Sequence, residues 1–176
     1  MLPLVLTRSA EPAIPEAPRL KPMLALRRSP LAALGVISAG VTTASFRMVG
    51  PLYGIEVGIT TDQIAFFLAA FVLGGALSQY PAGWLADRFD RRWVLVWLSV
   101  AAILSCGVMG ATARSGADAV MIASGVFGFA TFPIYSVAAA HAHDFANNEE
   151  RVELSAALML FYAVGANSAP KGVGRL

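Results

Sequence analysis

Charge is what this chain has least of. Asp, Glu, Lys and Arg make up 14% of its 176 residues, against about 25% in a soluble domain. Too few polar side chains are left to cover a water-facing surface. Cysteine is nearly absent too: the single Cys106 lies inside an apolar run, so neither a disulfide framework nor a metal site is available. The net charge is only +2, and the basic residues sit beside apolar runs rather than on one polar face, which argues against a nucleic-acid partner. The apolar runs hold no nucleophile–base pair, no glycine-rich phosphate loop and no pair of carboxylates. The chain does not read as an enzyme, and no cofactor is implied.

What is there instead is apolar sequence in long blocks. Apolar residues are 57% of the chain, and the charges gather in short clusters between them. A helix needs roughly 20 residues to cross about 30 Å of hydrocarbon. Five segments qualify as spans: 31–51, 64–86, 93–113, 119–140 and the shortest, 154–170. None shows the alternation of a barrel strand, and only helices or closed barrels satisfy the backbone in lipid. The expected fold is therefore an all-α membrane protein.

Residues 1–29 read as a Pro-rich, disordered tail carrying Arg8, Arg19, Lys21, Arg27 and Arg28, and residues 171–176 as a short polar tail. The opening Met1–Leu6 stretch is too short for a signal-peptide core. The linkers are short. Thr60, Thr61 and Asp62 offer N-caps to the second span, and Asn147 with Glu150 resembles a capping box before the fifth. Lys and Arg placement sets orientation. A cytoplasmic N-terminus puts the tail cluster, Arg88, Arg91, Arg92 and Arg151 inside, and leaves Arg114, Lys171 and Arg175 outside. The expected location is the plasma or inner membrane, crossed several times.

Small residues recur every four positions at Ala70, Gly74, Ser78 and Ala82, and again at Gly35, Ala39 and Thr43. Such rows let helix backbones approach closely in lipid. Pro133 is expected to kink the fourth span, because it removes a hydrogen bond and crowds the preceding turn. All of this describes a packed helical bundle.

One loop says more. Between the second and third spans the chain reads Gly83-Trp84-Leu85-Ala86-Asp87-Arg88-Phe89-Asp90-Arg91-Arg92. Gly83, Leu85, Asp87, Arg88, Arg91 and Arg92 together resemble the cytoplasmic loop signature of the major facilitator superfamily, with Asp90 where that pattern has glycine. Asp also tolerates turn geometry. Gly83 would permit close approach of a neighbouring helix, Asp87 would accept from arginines or helix-end N–H groups, and the arginines would hold the loop inside. A purely topogenic charge cluster is the plainer alternative. In the fourth span, Gly125 and Gly128 match part of a family pattern, with Met121 where it has arginine. Phe132–Ser136 followed by Ala140–Asp144 resembles the YcaD-like branch, and Gly165 with Ala169-Pro170 is similar to a glycine–proline signature of the fifth span. The resemblance covers residues 31–170. It implies an incomplete N-terminal six-helix bundle, with the loop latching two halves of a transporter and a small solute moving by alternating access.

Other side chains carry weaker signals. Arg47 is the only ionisable residue well inside a span. It continues the Gly35, Ala39, Thr43 row, so it should face the bundle or a cavity, or else snorkel to headgroups or pair with Glu56. Gln79 and Tyr135 are candidates for a polar solute pathway, or each satisfies one interhelical hydrogen bond. His141 and His143 do not share a helix face. They fit the inner end of the fourth helix beside Asp144, with a proton relay through His141 as the sharper reading.

Two functions from different classes remain. The first is transport of a small solute, with the lipid bilayer and a complementary C-terminal half as partners. The second is a non-transporting membrane interaction protein or an inactive remnant. The superfamily's site lies between two six-helix halves, so the chain reads as an N-terminal part of a transporter.

Overall fold

The structure, a computed structural model, describes residues 22–147 and 150–169. Residues 1–21 of the expected tail and Pro170 with the 171–176 tail lie outside the described residues. Every described element is a helix: α1 (Pro22–Arg28), α2 (Pro30–Glu56), α3 (Thr61–Arg88), α4 (Arg91–Thr112), α5 (Ala117–His143) and α6 (Arg151–Ser168). Helices α2 to α5 are long and apolar enough to cross a membrane. The fifth expected span is also helical, but α6 has 18 residues, about 27 Å at 1.5 Å per residue, and is not among those four.

Two expectations change. Pro22–Arg28, placed in a disordered tail by composition, forms a helix whose Ala25 is fully buried. The Arg28 guanidinium donates to both carboxylate oxygens of Glu150 at 2.8 and 2.7 Å. That contact spans 122 residues and leaves no trace in local composition. The first span also runs past Pro51 to Glu56.

The turns follow from their residues. The Gln63 side chain accepts from the Thr60 N–H at 3.1 Å, the reciprocal half of a capping box at the start of α3. Gly58 and Gly116 take φ of 85° and 94° in the turns before α3 and α5, a region that suits glycine. The start of α6 departs from expectation in detail. Its N-cap is Glu150 rather than Asn147, although the Glu150 carboxylate still accepts from the Asn147 N–H at 3.4 Å.

Packing follows the small residues. Helix α3 lies most extensively against α5, and α2 against α6. A Cβ on Gly74 would fall 1.9 Å from the Gly125 carbonyl oxygen, and one on Gly128 would fall 2.0 Å from that of Phe71. Between α2 and α6, Gly40 and Gly165 stand in the same relation to the carbonyls of Tyr162 and Ile37, at 2.3 and 2.2 Å. The buried Ser124 hydroxyl donates to the Phe67 carbonyl at 2.8 Å across the α3–α5 seam. Phe46, Phe67, Phe71 and Phe127 form an aromatic cluster beside it. Helix α4 is the least enclosed of the four spans. Its exposed Trp93, Trp97, Ile103 and Leu104 make the apolar outer surface that lipid requires.

Candidate functional site

Two places gather the side chains singled out in the sequence. The first is a cavity of about 640 Å³ lined from four helices, with Arg47 and Thr43 from α2, Gln79 from α3, Thr131, Phe132, Tyr135 and Ser136 from α5, and Met159 and Tyr162 from α6. Arg47, Gln79 and Tyr135 thus share one cavity although they are far apart in sequence. The row Gly35, Ala39, Thr43, Arg47 explains how α2 contributes. Gly35 is pressed against Ala138, its Cβ position 3.0 Å from that side chain, and the same face opens into the cavity at Thr43 and Arg47. Among the described residues no ion pair joins Arg47 to Glu56. The Ser136 hydroxyl donates to Gln79 Oε1 at 3.2 Å and to the Pro133 carbonyl at 3.1 Å, and Tyr135 meets Tyr162 edge to face at 5.4 Å. Thr131, Phe132, Met159 and Tyr162 were not foreseen. Tyr162 sits three residues before Gly165, whose close approach to α2 brings it to the cavity, but that register appears only once the helices pack.

The second place is the α3–α4 turn. Arg91 holds it together. Its Nε donates to the Ala86 carbonyl at 3.3 Å and its Nη2 lies 3.5 Å from Asp87 Oδ1. Its Nη1 donates to the Ala140 carbonyl at 3.1 Å and to the Asp144 carboxylate. Arg91 therefore joins the ends of α3 and α5. Asp90 caps α4, its carboxylate accepting from the Arg92 N–H at 2.9 Å. The residue that departs from the loop signature thus supplies a cap that glycine lacks. Arg88 lies over the Trp84 ring, 5.3 Å from its centroid, and Leu85 is exposed. Among the described residues, no other helix comes within 4 Å of the Gly83 Cβ position, so this face of α3 stands open.

His141 belongs to this second place and not to the cavity of Arg47. It is buried, stacks edge to face on Phe145 at 5.2 Å, and lines a small cleft with Asp90, Arg91, Arg92 and Asp144. His143 points elsewhere, its Nε2 lying 3.2 Å from the Ser155 hydroxyl. Among the described residues no three His, Cys, Asp or Glu side chains cluster as metal ligands.

The chain is 34% identical over 172 residues to an uncharacterized MFS-type transporter of Enterobacter sp. (strain 638). It is 33% identical over 173 residues to the uncharacterized MFS-type transporter YcaD of Escherichia coli O7:K1 (strain IAI39 / ExPEC). Each alignment covers 97% of this chain and 44% of the relative, so the chain spans less than half the length of the curated relatives it matches. No solved structure matches it significantly. The family model described as Major Facilitator Superfamily matches residues 31–170, from the first expected span to the end of the last, and the chain is a multi-pass membrane protein belonging to that superfamily.

Proposed function

We propose that this chain forms the N-terminal helical unit of a small-solute transporter that works by alternating access. In this reading the cavity of Arg47, Gln79 and Tyr135 is its solute-facing surface. The observation that carries it is the convergence of these three polar side chains, from α2, α3 and α5, on one cavity in an otherwise apolar bundle. Polar side chains within a membrane are costly and mark solute pathways.

The Gly83–Arg92 loop acts in this reading as the latch to a complementary half. The open face at Gly83 and the exposed Asp87 carboxylate leave room for a helix end of that half, whose terminal N–H groups would attract the charge. The N-terminus is cytoplasmic. The α3–α4 end of the bundle gathers Arg27, Arg28, Arg88, Arg91, Arg92 and Arg151, while the turn between α4 and α5 carries Arg114, which is the asymmetry of an inside face.

The test joins this chain to the C-terminal half of the Enterobacter relative and measures uptake of a panel of radiolabelled small solutes. A solute whose uptake falls in Gln79→Leu and Tyr135→Phe at equal expression supports the proposal. Uptake indifferent to both, or none at all from a correctly inserted fusion, favours a non-transporting interaction protein.

A further inference from the structure

We infer that the cavity selects organic anions with an aromatic or otherwise apolar body, an inference that rests on its being the solute-facing surface. Arg47 is the only charged side chain among the lining residues, and no carboxylate accompanies it. A guanidinium keeps its charge at every relevant pH and offers five N–H donors with no acceptor. The other polar groups lean the same way. Ser136 occupies the Gln79 amide oxygen, so Gln79 presents its NH2 as donor, and the Tyr135 and Tyr162 hydroxyls can donate as well. An occupant therefore meets several available donors around one fixed positive charge. A cation would be repelled by the guanidinium at close range, and a carboxylate would accept a charge-assisted, bidentate bond from Arg47.

The remaining wall sets the shape of the body. Phe132, Met159 and the Tyr135–Tyr162 edge-to-face pair offer ring and thioether surface, which suits an aromatic acid. A volume of about 640 Å³ accommodates a molecule of drug-like size or smaller.

The experiment is equilibrium binding to the full chain in lipid nanodiscs, with three probes of one shape: 2-naphthoate, 2-naphthamide and 2-naphthylmethylamine. The expected result is saturable binding of the carboxylate alone, weakened at least ~10-fold by Arg47→Gln and less by Arg47→Lys. Circular dichroism and gel filtration identify variants that fold, and Gln79→Leu serves as the second variant if Arg47→Gln does not. Binding of the amide or the amine that is lost in Gln79→Leu but indifferent to Arg47→Gln overturns the anion class and leaves the cavity as the solute site. Binding of no probe, or binding untouched by Arg47, Gln79 and Tyr135 substitutions alike, overturns both.

Discussion

The Arg91 guanidinium meets the Asp144 carboxylate across 53 residues of sequence, tying the turn after α3 to the end of α5. The same side chain also donates to the Ala140 carbonyl at that end. The two partners of the ion pair therefore do unequal work. Both are partly exposed, so Asp144→Asn, which keeps an acceptor, should cost no more than ~0.5–1 kcal/mol. Arg91→Ala also strips the donor from two backbone carbonyls and should cost about 1–3 kcal/mol. Thermal unfolding in detergent reads the order, and a larger loss in Asp144→Asn would contradict it.

Glycines 74 and 83 lie in one helix and predict opposite outcomes. Gly74→Val places a Cβ 1.9 Å from a backbone oxygen of α5, which forces the helices apart and should cost about 3 kcal/mol or more. Gly83→Ala meets open space and should change stability by less than ~0.5 kcal/mol. If the loop is a latch, Gly83→Ala and Asp87→Asn should nevertheless impair uptake by the rejoined transporter. Wild-type uptake in both would reduce the loop to a topology signal.

The Arg28–Glu150 contact makes α1 part of the bundle. A double-mutant cycle of Arg28→Ala and Glu150→Gln should show a coupling of roughly 0.5–1 kcal/mol, the range for a partly exposed ion pair. Additive losses would mean that the pair holds nothing.

Much of this architecture was legible in the sequence. Apolar blocks between charge clusters marked the spans, and the four-residue rows marked the faces on which α2 and α3 pack. The loop residues 83–92 and the cavity side chains Arg47, Gln79 and Tyr135 were also singled out in advance. What escaped depends on contacts between distant residues. Composition placed Arg28 in a disordered tail, because nothing local announces Glu150. The first span was ended at Pro51, yet Pro51 and Pro81 both stand inside helices. In membranes, neighbouring helices and local adjustments satisfy the carbonyls that proline frees.

Orientation has its own check. With the N-terminus inside, a cysteine placed after Arg92 in a Cys106→Ser chain should be inaccessible to an impermeant maleimide in intact cells and labelled after lysis. Labelling from outside would invert the topology and remove the loop from the cytoplasm.

The central claim is that Arg47, Gln79 and Tyr135 line a solute-facing, hydrated cavity within a membrane bundle. The most direct measurement places single cysteines at positions 47, 79 and 135 of a Cys106→Ser chain in native membranes. Controls go at Ile103 and Leu104, on the outer face of α4. A water-soluble maleimide needs water to form the reactive thiolate, so it separates hydrated positions from lipid-facing ones. The account predicts that the three cavity positions react and that positions 103 and 104 do not. Cavity positions as unreactive as the α4 controls would contradict it.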